Sequence, residues 1–308
     1  MPEHIPLKER YINPFTDFGF KRLFGQEANK DLLIDFLNEL IKGKNHIRNL
    51  SYKSGEKFAQ TEFDRKAVYD LYCENDQGEK FIIELQKAKQ NFFKDRTVYY
   101  STFPIQEQAE KGEWNYRLNA VYTVGILDFT FDDEYQKETV VTEVKLMDTE
   151  KHQVFYDKLT YIYLQMPNFK KEECELTTHF ERWLYVLKNL SKLMERPAKL
   201  QEKIFSKLFE VAEISNLSRR EYMDYEESLK HYRDMKNVID TAKEEARAEG
   251  IQEGIEIGKT EGIEIGAHQA LKRIVSEMVA EGESMEKIHR FTGFSIEEIE
   301  RIRHANNS

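Results

Sequence analysis

Two acids and an amide stand at a spacing that can do chemistry: Asp70, then Glu84 after thirteen intervening residues, then Gln86 in the triplet Glu-Leu-Gln. They fall on the stretches AVYDLYC and KFIIELQ, joined by the polar turn ENDQGE, which is a hairpin pattern. Side chains alternate along a strand, so Val68, Asp70 and Tyr72 share a face of the first arm, and Ile82, Glu84 and Gln86 share a face of the second. Phe81, Ile83 and Leu85 take the other face. Residues 81–85 are therefore apolar on both sides except at Glu84, as in a central strand covered on both faces. An ionised carboxylate buried there is costly unless a cation or hydrogen-bond donors compensate it. With Asp70 on the neighbouring arm, two hard oxygen donors with open positions suit a magnesium ion bridging protein and phosphate. The plainer structural reading is a solvated hairpin edge, or ion pairs with nearby lysines.

The elements that must position these residues are legible on either side. In DLLIDFLNELI, Leu33, Phe36, Leu37, Leu40 and Ile41 recur with the spacing of one buried helix face, and Gly43 is placed to end it. A helix is expected over residues 91–111, kinked or divided at Pro104. NAVYTVGILDFTF, ETVVTEVKLMD and KLTYIYLQM read as strands. After Pro167 the pattern is helical, with FERWLYVLKNLSKLM and KIFSKLFEVAEI before residue 240 and no convincing strand. The expected class is α/β, a mixed central sheet flanked by helices, with an all-helical C-terminal extension.

Composition excludes several classes. The chain has 308 residues, 46 Lys+Arg against 56 Asp+Glu, a formal net charge of -10, and 40% hydrophobic residues, enough for a real core. Cys73 and Cys174 lie far apart with no Cys-x-x-Cys spacing, so neither a disulfide framework nor a thiolate zinc site is indicated. The N-terminal MPEHIPLKERYINPF lacks the build of a secretion signal, and no apolar run approaches the length of a membrane span. A cytoplasmic protein without membrane contact is expected. The acidic balance argues against a nonspecific polycationic binder but leaves room for a local basic strip.

The order Asp, thirteen residues, Glu-x-Gln on adjacent strands resembles the PD-(D/E)XK nucleases, and more closely the Rpn family of recombination-promoting nucleases, also described as transposase-like. The resemblance rests on NPFTDFGFKRLFG at 13–25, LLIDFLNELI at 32–41, YDLYCENDQGEKFIIELQKAKQNFFKDRTVYY at 69–100, QAEKG at 108–112, ILDF at 126–129, and a tandem EG repeat followed by TGFSIEEI. It implies a restriction-endonuclease-like core and metal-dependent DNA endonuclease activity. Asp70 and Glu84 would be ligands for Mg2+, or for Mn2+ or Ca2+, with the Leu85 backbone carbonyl as a third. Gln86 stands where the motif usually has lysine. It can position water or phosphate by hydrogen bonds, but it carries no charge and exchanges no proton near neutral pH.

Further candidates come partly from the same resemblance and partly from the residues themselves. Lys89 is a candidate migrated lysine, because alternation puts Lys87 on the face opposite Gln86. Asp17, in T-D-F-G-F-K, is a possible site acid, although the plainer reading is that Thr16 or Asp17 caps the helix FGFKRLF. The DFG triplet does not indicate a kinase, since no Gly-rich phosphate loop and no His-Arg-Asp element accompany it. Lys87, Lys89, Lys94 and Arg96 form a basic strip directly after the active-site strand, suited to DNA phosphates or simply to a solvated helix face. Gln108 in QAEKG resembles a glutamine motif of related nucleases. Asp128 reads as a turn acid, and His179 shows no ligand spacing.

Beyond residue 242 the sequence becomes repetitive, with Gly250, Gly254, Gly258, Gly262 and Gly266 every four residues. In a helix they form one slowly turning stripe flanked by Ile251, Ile255 and Ile263, where two copies could approach; a flexible linker is the alternative. Residues 267–303 read as three short helices, the last opened by a Ser295–Glu298 capping box. Their six basic and seven acidic side chains leave DNA and protein contact equally open. The expected organisation is a nuclease core at 9–170, a helical extension at 171–242, the glycine repeat at 243–266 and a helix-turn-helix-like module at 267–308, with homo-oligomerisation through the repeat and the C-terminal helices. Two rivals remain: a catalytically degenerate DNA-binding or protein-interaction module, and an RNase-H-like transposase. The second would leave the E-x-Q hairpin unexplained.

Overall fold

The apolar run from Phe81 to Leu85 builds the middle of a six-stranded mixed sheet. A computed structural model describes residues 9–41, 46–53, 56–57, 67–110, 112–133 and 138–306. The sheet holds β1 (Leu50–Tyr52), β4 (Leu71–Asn75), β5 (Lys80–Gln86), β6 (Val121–Leu127), β8 (Gln153–Gln165) and β7 (Val141–Asp148), side by side in that order. β5, β6 and β8 run parallel, and the outer pairs are antiparallel. Every residue of β6 is buried, because helices cover both faces. A separate small ribbon pairs β2 (Glu56–Lys57) with β3 (Ala67–Val68).

The expected alternation holds on β5. Phe81 and Ile83 join the main core, which also takes in α1 (Asp17–Phe24), α2 (Lys30–Leu40), α4 (His179–Asn189) and α5 (Lys203–Ala212). Its centre is aromatic, with Phe24, Phe36 and Trp183 in mutual contact and Phe205 against Trp183. The core is continuous across residue 170, since Phe81 and Trp183 belong to one cluster. Ile82 faces the opposite layer, α3 (Phe93–Gln106), and packs with Tyr69 and Tyr72. Thr97 and Ser101 of α3 meet the Tyr163 and Tyr161 hydroxyls at 2.7 and 2.8 Å, fastening that helix to β8.

Several expectations shift. AVYDLYC is not one arm: the chain changes partner after Val68, and Asp70 lies in a bend one residue before β4. The Val68 side chain and Gly43 lie outside the described residues. α3 is shorter than 91–111 and is not divided at Pro104, which falls in its last turn. Pro104 offers no N–H to the Tyr100 carbonyl. Tyr69 donates its hydroxyl to that carbonyl at 3.1 Å instead.

The chain forms two compact units, Met1–Asn237 and Val238–Ser308. α6 (Arg219–Ala280) begins in the first, where Tyr225 and Leu229 are core residues, and the glycine repeat is helical. In the second unit the end of α6, α7 (Met285–Thr292) and α8 (Ile296–Asn306) enclose Val275, Ile288, Phe294, Ile299 and Ile302. The Ser295–Glu298 capping box forms as expected. No helix among the described residues is long and apolar enough to cross a membrane.

Candidate active site

β4 and β5 bring the two acids together. The β4–β5 ladder ends at Leu71↔Ile83, and just beyond it Asp70 is close enough to Glu84 for both its charge and its backbone amide to act on the Glu84 carboxyl. Asp70 Oδ2 accepts a hydrogen bond from the Leu85 amide at 2.7 Å. Glu84 is 7% exposed, and its Oε1 has no hydrogen-bond partner. A buried oxygen left in this state is expensive in a folded chain. Burial pushes the Glu84 carboxyl up to about 8, the neighbouring Asp70 charge pushes in the same direction, and Arg96 opposes them. Asp70 is raised as well, by burial first and by Asp17 in addition, against the Leu85 amide.

α1 supplies the next layer. Thr16 caps it by accepting from the Gly19 amide at 2.9 Å, which leaves Asp17 at the first helical position. Asp17 pairs with Lys21 at 3.0 Å, and both line an open cleft of about 410 Å³ with Asp70 and Leu71. Lys87 stands close enough that Asp17 and Asp70 favour its charged form, although burial has the larger, opposite effect. Strand alternation alone places Lys87 on the face opposite Gln86. β5 ends at Gln86, and beyond a strand end alternation no longer governs direction.

Gln86 is buried and held at both ends: its Nε2 donates to the Ala88 carbonyl at 2.8 Å, and its Oε1 accepts from Arg96. The chain enters α3 through Phe92, whose φ is +60°, so the helix returns over the sheet and carries Arg96 to Gln86. The other cations of the strip are engaged differently. Lys89 pairs with Asp132, and Lys94 pairs with Asp133 at 2.5 Å.

Gln108 stands elsewhere, with its side chain clamping the approach to β6: Oε1 accepts from the Asn119 amide at 2.7 Å, and Nε2 donates to the Pro104 carbonyl at 3.1 Å. Asp128 accepts from the Tyr232 hydroxyl at 2.8 Å, tying the end of β6 to α6. His179 bridges Asp35 and Glu202, each at 2.6 Å, among the helices.

The chain matches the family model described as PD-(D/E)XK nuclease family transposase over residues 14–242, which contain the whole cluster. The chain belongs to this family. No curated protein and no solved structure matches it. The mixed sheet with helices on both faces is consistent with the PD-(D/E)XK α/β fold, and nucleases of the PD-(D/E)XK kind typically use divalent metals. The glycine repeat beyond residue 242 and the C-terminal helices lie outside the match.

The donor set fits such an ion. Asp70 and Glu84 offer hard carboxylate oxygens, one of them buried without a partner, and burial favours their protonation in the absence of a cation. Among the described residues no group of three or more His, Cys, Asp or Glu side chains could hold a metal ion. Two carboxylates alone leave most of an octahedral shell to water, carbonyl and phosphate oxygens, as magnesium prefers.

Proposed function

We propose that this PD-(D/E)XK protein is a magnesium-dependent DNA endonuclease that hydrolyses phosphodiester bonds. The observation that carries the reading is the buried, unpartnered Glu84 oxygen beside Asp70. Asp70 and Glu84 would hold Mg2+, with Mn2+ or Ca2+ as alternatives and the Leu85 carbonyl as a third donor. When bound, such an ion supplies Lewis acidity and neutralises charge growing on the phosphate.

The chain's own residues do the rest. The Leu85 amide orients the Asp70 carboxylate. Gln86, fixed at both ends, holds its part of the site in one geometry. Lys87, Lys89, Lys94 and Arg96 form the strip for DNA phosphates, with Lys89 and Lys94 exchanging Asp132 and Asp133 for the nucleic acid. Asp17 and Lys21 border the cleft beside Asp70 and tune its charge. Outside the family match, the exposed glycine and isoleucine face of α6 and the C-terminal helices would mediate homo-oligomerisation.

Supercoiled plasmid with Mg2+ or Mn2+ tests the reading. The wild-type protein should nick or linearise it and stop on chelation. A folded Asp70→Ala protein should be slower by roughly three orders of magnitude, at the upper end for loss of one stabilising group. Equal nicking by both proteins, or none by the wild type across a metal titration, would sink the assignment.

A further inference from the structure

The motif lysine is replaced by Gln86, a neutral amide, so the site needs a cation from elsewhere to meet charge that grows on phosphate. Arg96 is placed to be that cation. Its Nη2 donates to Gln86 Oε1, and its Nη1 donates to Gln90 Oε1 at 2.5 Å. Both acceptors are uncharged. Among the described residues no carboxylate lies within ion-pair distance of Arg96, whereas Lys89 and Lys94 are each tied to one.

Its guanidinium carbon lies 5.3 Å from the Phe93 ring centre and 5.8 Å from that of Tyr100, so the group is held without being neutralised. A guanidinium has five N–H donors in a fixed fork, and the two amide contacts leave others for phosphate oxygens. Its charge already reaches Glu84, whose ionised form it favours.

We propose that Arg96, presented by Gln86, receives the scissile phosphate and performs the task that the motif assigns to lysine. This rests on the nuclease reading above. In hydrolysis a water oxygen bonds to phosphorus and the bond from phosphorus to one deoxyribose oxygen breaks. The water gives up a proton, and the departing oxygen takes one up from solvent. Arg96 makes and breaks none of these bonds. It binds non-bridging oxygens, where negative charge grows. Gln86 is a positioning residue, its amide held by the Ala88 carbonyl so that Oε1 meets the guanidinium.

The test compares wild type with Arg96→Gln, Arg96→Lys, and Arg96→Gln combined with Gln86→Lys, all matched for thermal stability. Three quantities are measured: single-turnover cleavage of a short duplex in Mn2+, affinity for that duplex in Ca2+ across a salt series, and affinity for Mn2+ alone. Arg96→Gln should cut roughly 10²–10³-fold more slowly while duplex affinity stays within about threefold. Arg96→Lys, which keeps charge without the fork, should fall between it and wild type. Restoring the lysine with Gln86→Lys should recover at least about tenfold of the lost rate. Without DNA, Arg96→Gln should bind Mn2+ tighter by roughly threefold, because a cation has left the neighbourhood of the carboxylates.

Cleavage by Arg96→Gln within threefold of wild type would overturn the proposal. So would a loss confined to duplex affinity with a salt slope lower by about one, the behaviour of an ordinary phosphate-contacting cation. If the wild type cuts no DNA, the nuclease reading falls by that result alone. The Mn2+ titration then decides for Arg96, and unchanged affinity in Arg96→Gln overturns its placement.

Discussion

Glycines separate the two regions of this molecule. At Gly19, beside Asp17, a methyl group would stand 2.1 Å from the Asn13 carbonyl oxygen and 2.8 Å from Thr16 Oγ1. At Gly125, paired with Glu84 across β5 and β6, it would meet Tyr163 at 3.1 Å and Leu127 at 3.3 Å. At Gly250, Gly254, Gly258, Gly262 and Gly266 it would meet nothing within 4 Å. In the first unit the missing side chain makes room for close packing beside Asp17 and Glu84. In the repeat no packing among the described residues makes use of it, and Ile251, Ile255, Ile257, Ile263 and Ile265 stand exposed on the same helix. Each glycine is costly inside a helix, and this contrast is the physical basis of the self-association proposed above.

Gly19→Ala should break the contrast most severely. Backbone stands in the way, so a loss of about 3 kcal/mol is expected in thermal or urea unfolding, the upper end for overpacking. A loss below about 1 kcal/mol would show that α1 can shift, and with it the wall of the cleft.

Glu84→Gln should move stability the other way in the metal-free protein. The folded chain keeps a proton on Glu84 up to about pH 8, while the unfolded chain gives it up near the ordinary value of 4.5. Stability therefore falls as pH rises across that interval and levels off above it. Asp70, also raised, adds in the same direction at the acidic end. The Gln protein should match wild type near pH 4 and exceed it by about 2 kcal/mol at pH 8, a conservative allowance for one buried charge. A wild-type melting temperature that stays level from pH 5 to 8 would contradict the burial argument.

Gly254→Ala and Gly258→Ala should have the smallest effect, each stabilising the isolated helix by about 1 kcal/mol because open space surrounds them. Sedimentation of the same proteins tests the face directly. If two copies close-pack there, self-association weakens while the dilute protein melts higher. A lower melting temperature at high dilution would mean that the repeat packs within its own chain.

The candidate site is more legible in the sequence than the elements around it. Alternation along KFIIELQ is strong enough to mark Glu84 as a buried acid, and the helix pattern of residues 31–41 and the Ser295–Glu298 cap also emerge directly. β1, β2 and β3 are two or three residues long, too short for any period to show. The bend at Asp70 depends on a change of strand partner that AVYDLYC does not announce. The Arg96 to Gln86 contact needs the turn through Phe92, and the Asp128 to Tyr232 bond joins residues 104 apart, so neither has a local signal.

The most direct measurement is single-turnover cleavage of a defined duplex in Mn2+ by wild type and by Glu84→Gln, a substitution that keeps the side-chain shape and should raise metal-free stability. The Glu84→Gln rate should be lower by roughly 10³-fold or more, together with weakened Mn2+ binding. A Glu84→Gln protein that binds Mn2+ and cuts at the wild-type rate would contradict the assignment of Glu84 as a metal ligand.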